Sequence, residues 1–250
     1  MMGDYHVRFC ERGRVKLPFP TRHTTVTCKL PKMLIYDNIF QIREIFSNRP
    51  FRGVIEKYDL AEPEISRGER QITETVTVKH KMGGKTLYDI IWTTNAYPVI
   101  VSEKVIELFK SNRITGWETY NVEIRSKKNE LIDQKFFGLI ITGRCGHRDY
   151  SKSSIVLDKI GIKTKPHIKG FFFDKDFWSG TDLFMCKPDE KGNLNMNIFC
   201  TKKVVDLFKK NKIKNIDFKN LKEITLAIEL FKVPLTDQQQ NEMEKIKASR

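Results

Sequence analysis

Val101-Ser102-Glu103-Lys104-Val105-Ile106-Glu107-Leu108-Phe109-Lys110-Ser111-Asn112-Arg113-Ile114 stands over Cys200-Thr201-Lys202-Lys203-Val204-Val205-Asp206-Leu207-Phe208-Lys209-Lys210-Asn211-Lys212-Ile213 at a constant offset of 99. Seven of the fourteen pairs are identical, and Ser/Thr, Ile/Val, Glu/Asp and Arg/Lys exchanges account for four more. Each copy reads as a short helix with Ser102 or Thr201 as N-cap and an apolar stripe at 105, 106, 108 and 109 or 204, 205, 207 and 208. Asn112 or Asn211 suits a left-handed exit. A helix of this length cannot stand alone in water, so the stripe has to pack on a sheet.

The flanks supply the strands. Leu87 to Trp92 precedes the first copy, and Tyr120, Val122 and Ile124 alternate behind it. Lys127-Lys128-Asn129-Glu130 is a turn into the apolar run Phe136 to Ile141. Ile216 to Leu221 and Ile224 to Ile228 repeat that character after the second copy, and Gly170 to Phe184 takes the place of the Trp92 region before it. The expected fold is α+β: two related strand-helix-strand halves on a mostly shared sheet, spanning 88–250, with an N-terminal β-rich subdomain over 1–87. Arg144 to Ile168 reads as a connecting loop.

Within the N-terminal part, Leu17-Pro18-Phe19-Pro20 is an extended segment and Met33 to Tyr36 a short strand. Ile39, Phe40, Ile42, Ile45 and Phe46 fall on one helix face that ends before Pro50. Gln71 to Lys79 alternates as a strand, with Gly83-Gly84 as its turn. At the far end Thr236-Asp237-Gln238-Gln239 has capping-box spacing, and Met243 with Ile246 offers only a thin apolar face, which predicts a weakly docked helix.

With 250 residues, 40% hydrophobic and 30% charged, the chain is long and apolar enough to fold around a real core. No apolar run approaches a membrane span and no secretory leader opens the chain, so a cytoplasmic location is expected, with no membrane partner. Five cysteines without a C-x-x-C pair suggest neither a disulfide framework nor a zinc ribbon. The net charge of +14 favours acidic partners, whether protein or nucleic acid. Residues 1–32 carry seven Lys/Arg against two acids, and 202–222 carry eight Lys against two.

Catalytic patterns are thin. Cys145 in Gly-Arg-Cys-Gly, beside His147, Arg144 and Arg148, is the one candidate thiol nucleophile, and it reads more simply as a structural cysteine. The five histidines are dispersed, which argues against a metal centre, and Asp174 with Asp176 reads as a solvated loop edge. Pro188-Asp189-Glu190-Lys191 has nuclease-like letters at a spacing that cannot converge on one metal, and no phosphate-binding loop is present. No catalytic residue, metal or cofactor is expected. Nucleic-acid binding is the alternative, although the charge is lysine-rich rather than arginine-rich and no RNA-recognition strand pattern accompanies it.

Trp92-Thr93-Thr94-Asn95-Ala96-Tyr97-Pro98-Val99-Ile100-Val101-Ser102-Glu103-Lys104, followed by Ile114-Thr115-Gly116-Trp117-Glu118-Thr119-Tyr120-Asn121-Val122-Glu123, resembles bacterial immunity proteins encoded beside polymorphic toxins. These include proteins near type VI secretion effectors and relatives of the myxobacterial double-CxxCG proteins. Phe136-Phe137-Gly138-Leu139, Gly143-Arg144-Cys145-Gly146 and Trp178-Ser179-Gly180-Thr181-Asp182-Leu183-Phe184 are similar to later motifs of the same family. Both C-x-x-C-G motifs are missing, so the zinc-bearing branch is not implied. The resemblance implies a noncatalytic inhibitor of a cognate toxin, and the basic charge makes that toxin acidic. Interface energy concentrates in Trp, Tyr and Arg, so Trp92, Tyr97, Arg144, Arg148 and Trp178 are the expected contact residues.

Overall fold

A computed structural model of the chain describes residues 34–45, 47–95, 97–160, 163–189 and 192–248. The basic N-terminal stretch and Leu17 to Pro20 lie outside the described residues. After a 3-10 turn come β1 (Ile39–Arg43), β2 (Phe51–Ile55), the single-turn α1 (Pro63–Ser66), β3 (Val76–Gly83), β4 (Ile90–Trp92) and β5 (Val99–Ser102). The first of two nine-residue helices, α2 (Glu103–Ser111), leads to β6 (Trp117–Arg125), β7 (Phe136–Ile141), β8 (Arg144–Cys145), β9 (Ser154–Ile160), β10 (Lys163–Lys169), β11 (Leu183–Cys186) and β12 (Phe199–Thr201). The second, α3 (Lys202–Lys210), is followed by β13 (Asp217–Asn220), β14 (Thr225–Ala227), α4 (Ile228–Phe231) and α5 (Asp237–Ala248). The α+β class is as expected.

The strands form three sheets rather than one shared one. Six strands in the order β2-β3-β6-β7-β5-β4 curl nearly into a barrel, five stand in the order β13-β1-β12-β11-β8, and β14-β10-β9 make the third. The barrel is closed by a side chain that imitates a strand. Asn95 accepts from the Ile55 amide at 2.8 Å and donates to the Ile55 carbonyl at 3.0 Å, next to a Thr94 amide bond to the Gly53 carbonyl. Inside, Ile55, Val76, Val78, Ile91, Ile100, Tyr120, Ile124, Phe136 and Ile140 pack together, because period-two alternation sends every second side chain inward. Tyr120 stands opposite Gly138 in register, and a Cβ on Gly138 would fall inside the Tyr120 ring. Glycine is therefore the residue that lets an aromatic ring cross the lumen at this point.

Where a helix was expected, Ile39–Arg43 is strand β1, paired on both sides, with β12 and with β13, and Phe46 lies outside the described residues. Ile39 and Ile42 are buried, and a central strand covered on both faces carries an apolar run that periodicity alone does not separate from a helix. The expected loop 144–168 contains most of the β9–β10 hairpin, whose register runs from Lys163↔Ile160 to Lys169↔Ser154. Residues 34–87 form no sheet of their own among the described residues: β1 joins the five-stranded sheet, and β2 and β3 join the barrel.

α2 and α3 each span nine residues and lie between the barrel's outer face and the five-stranded sheet. Phe109 and Phe208 are both buried, with rings stacked 5.6 Å apart. Val105, Ile106, Val204 and Val205 are buried around them, and full burial of such side chains contributes about 1.5–3 kcal/mol each. What the two strand-helix-strand segments share is thus a core. Their exits also correspond: Asn112 donates to the Leu108 carbonyl at 2.9 Å and Asn211 to the Leu207 carbonyl at 2.8 Å. The left-handed residues are the next ones, Arg113 (φ 50°) and Lys212 (φ 53°), rather than the asparagines.

The third sheet carries α4 and α5. The capping box at the start of α5 is formed, with Thr236 and Gln239 bonding each other's backbone amides at 3.0 and 3.3 Å. Gln239 is buried and donates to the carbonyls of Tyr150 and Ser153 at 2.8 and 2.7 Å. A buried amide, more than the thin apolar face, docks this helix.

Candidate functional site

The sequence places two aspartates where their purpose shows only in three dimensions. Neither Ser102 nor Thr201 caps its helix through its side chain. Their hydroxyls donate outward instead, Thr201 to Asp182 at 3.0 Å and Ser102 to Asp89 at 3.5 Å. The other carboxylate oxygen of Asp182 accepts from the Thr115 amide at 3.1 Å, and that of Asp89 accepts from the Lys214 amide at 3.1 Å. Thr115 and Lys214 follow α2 and α3 at the same offset of 99. Each aspartate therefore ties the start of its own helix to the exit of the other. Lys104 and Lys203 do the same in reverse: Lys104 donates to the Asn211 carbonyl at 3.2 Å and Lys203 to the Arg113 carbonyl at 3.1 Å. The two helices run antiparallel in a reciprocal lock.

Trp92 belongs to this lock. Its indole is half-buried and donates to the Asn215 carbonyl at 2.8 Å, while Asn215, left-handed at φ 66°, donates from its side chain to the Ile90 carbonyl at 2.8 Å. One edge of Trp92 faces a cleft of about 360 Å³ between the barrel and the β1–β12 pair. Tyr97, Met196 and Ile198 share its walls, and Tyr97 is 37% exposed. Its polar rim is made by Gln41, which donates to Asn197 at 2.7 Å, and by Arg43 and Glu44. Arg43 pairs with Asp217 at 2.7 Å and Glu44 with Arg52 at 2.8 Å. Burial pushes the Glu44 carboxyl above the usual carboxylate range against the pull of Arg52. The cleft offers apolar and aromatic surface with a polar margin, a composition suited to receiving a protruding side chain.

The structure brings Trp92 and Tyr97 together at this cleft and leaves the other three expected contacts elsewhere. Arg144 donates to the carbonyls of Ile141 (2.6 Å), Gly143 (2.9 Å) and Arg67, and lies 3.6 Å from Glu69. Burial, followed by the neighbouring Arg67 charge, lowers its pKa. Arg67 is 1% exposed and donates to Glu69 at 2.7 Å and to the Cys186 carbonyl at 3.0 Å. The two guanidiniums thus bolt the chain after α1 to β8 and β11. Arg148 sits 4.6 Å from the ring centroids of both Tyr150 and Phe171 and donates to the Gly170 carbonyl at 3.2 Å. Trp178 packs 5.3 Å from Phe184, and its indole nitrogen is buried without an acceptor among the described residues. All three are engaged within the fold, so of the five only Tyr97 is an exposed residue.

Cys145 is fully buried, opposite Cys186 in register, with the sulfurs 3.5 Å apart. The Cys186 thiol and burial push the Cys145 thiol far up, which removes the thiolate a nucleophile needs. Asp174 accepts from the Asp176 amide at 2.9 Å as the cap of a short turn. Asp189 closes another with Asn193, and Glu190 and Lys191 lie outside the described residues. Asp89, Arg67 and Asn215 carried no motif, whereas Asn95 stood in the Trp92 to Lys104 stretch and Gln239 in the Thr236 capping box. The only sequence signal for Asp182 was its place in Trp-Ser-Gly-Thr-Asp-Leu-Phe. Comparison with known proteins gives no matching family model and no match among curated proteins.

Proposed function

We propose that the chain is a noncatalytic binding protein that neutralises an acidic protein toxin, and that its two helix-bearing segments descend from one duplicated unit. The observation that carries this reading is where the motif residues go. Asp182, Trp92, Arg144 and the Ser102 and Thr201 hydroxyls are bonded within the chain, as befits a rigid frame whose work is done by its surface. A preorganised frame avoids the cost of ordering on association, which is how a stoichiometric inhibitor gains affinity. The Trp92–Tyr97 cleft is the proposed anchor point, and the +14 charge speeds encounter with an acidic partner.

The test is co-expression with the toxin gene adjacent to this one. Rescue of growth, co-purification at one to one, and loss of both in Tyr97→Ala with Met196→Lys support the proposal. Absence of rescue and co-purification, together with duplex DNA binding that falls steeply with salt, replaces it with the nucleic-acid reading.

A further inference from the structure

One mouth of the barrel opens on a cavity of about 560 Å³. Phe51, 2% exposed, and Ile132 give it an apolar floor. Lys85, Lys127 and Lys128 stand exposed on its rim, and among the described residues none of the three has an ionic partner, unlike Lys79, which pairs with Glu56 at 3.3 Å. The single carboxylate in the wall, Glu130, accepts from the Ser126 hydroxyl at 3.3 Å.

The rim is built rather than loose. Ser126 Oγ accepts from the amides of Lys128 and Glu130, each at 3.2 Å. Arg125 donates to the Asn129 carbonyl at 3.2 Å, so the turn that carries Lys127 and Lys128 is held from both sides. On the opposite side Gly83 and Gly84 lie so close to the carbonyls of Pro50 and Arg49 that a Cβ at either position would collide with backbone, which fixes the approach to Lys85. His80 completes the wall. Its ring meets Phe51 edge-on at 4.9 Å and its Nε2 engages the Gly84 carbonyl at 3.2 Å, while Nδ1 is buried with no partner among the described residues.

The geometry points to a binding site for a small organic anion with a flat apolar body, an aryl or acyl chain ending in a carboxylate, sulfonate or phosphate. The apolar part would lie on Phe51 and Ile132 and the charge among the three lysines. The volume falls within the range of small-molecule sites, and barrel mouths are a recurrent place for them. Three uncompensated ammonium groups around an apolar floor complement that ligand class and repel cations. This site is separate from the Trp92–Tyr97 cleft, so it stands whether or not the chain binds a toxin.

The probe is 8-anilinonaphthalene-1-sulfonate, with uncharged N-phenyl-1-naphthylamine as control, in fluorescence titrations of the full chain. Saturable one-to-one binding of the sulfonate is expected, weakened about tenfold in Lys127→Glu/Lys128→Glu and severalfold between about 50 and about 500 mM NaCl. Amide signals of 80–85 and 126–130 should shift in nitrogen-edited spectra. Equal binding of the uncharged dye, an unchanged affinity in the double variant, or shifts confined to other residues would overturn the proposal. So would displacement of the dye by single-stranded DNA or polyglutamate without displacement by phenyl phosphate, since the surface would then serve a polyanion. The salt series on the unaltered chain decides the matter even if the double variant fails to fold.

Discussion

Removing either aspartate of the reciprocal lock should weaken the protein unequally, and the inequality follows from distances. The Asp182 carboxylate accepts from Thr201 Oγ1 (3.0 Å), the Thr115 amide (3.1 Å), Lys203 (3.2 Å) and Thr115 Oγ1 (3.3 Å). Asp89 makes one bond of comparable quality, to the Lys214 amide at 3.1 Å, and its contacts with Ser102 and Lys104 are both 3.5 Å. A hydrogen bond to a charged group contributes about 1.5–3 kcal/mol net, and an exposed lysine recovers most of its share from water. Asp182→Ala should therefore cost about 3–4 kcal/mol, against about 1.5–2 kcal/mol for Asp89→Ala. Asp182→Asn, which keeps an acceptor but no charge, should fall between. Urea unfolding followed by tryptophan fluorescence measures all three. Because both aspartates hold one helix pair, the double variant should depart from additivity by about 0.5 kcal/mol or more. Equal costs for the two alanine variants, or costs below about 1 kcal/mol for both, would show that the lock carries no weight and that the argument from distances is wrong.

Four further outcomes can be checked in the same way. Arg67→Ala strips a buried guanidinium from Glu69 and the Cys186 carbonyl and should cost about 3–5 kcal/mol, while Arg67→Met, which keeps the apolar stem, should cost less than half as much. The Tyr120 hydroxyl is buried in the barrel without a partner among the described residues, so Tyr120→Phe should be neutral or stabilising by about 1 kcal/mol. Gly138→Ala, which drives a methyl into that ring, should cost at least about 3 kcal/mol. Burial raises the Asp149 pKa, but hydrogen bonds from Lys152 and Ser151 outweigh it and leave the folded value below the unfolded one. That contribution is present above the unfolded pKa near 4 and is lost as pH falls through the folded value, so Asp149→Asn should flatten the acid limb of a stability-versus-pH curve.

The helix pair, the alternation of Tyr120 and Ile124, the buried run at 136–141 and the Thr236 capping box were legible because each is written in local spacing. β1 was not, since its apolar residues Ile39, Phe40 and Ile42 fall on both faces of the strand and leave no period-two alternation. The β9–β10 hairpin was hidden by its polar residues, with Asp158 and Lys159 closing the apolar run of β9 and Lys165 and Lys169 on the face of β10 opposite Ile168. Arg144, Arg148 and Trp178 are the residue types that dominate interfaces, and sequence does not say whether a guanidinium will find its carbonyls inside the chain or on a partner. Asp89 was invisible for a related reason: its amide donor lies 125 residues away at Lys214, a distance no local pattern spans.

The lock also sets a timetable for the growing chain. Translation at about 5–20 residues per second puts roughly 5–20 s between the emergence of α2 and that of the segment that completes it. In that interval the barrel strands from β2 to β7 are all present and can pair, yet Trp92 lacks the Asn215 acceptor and the stripe of Val105, Ile106 and Phe109 is covered only on its barrel side. A nascent chain in this state displays the kind of surface that chaperones hold and that proteases and aggregates exploit. A messenger cut short before Lys202 would thus yield an insoluble barrel with an uncovered flank rather than half of a working protein.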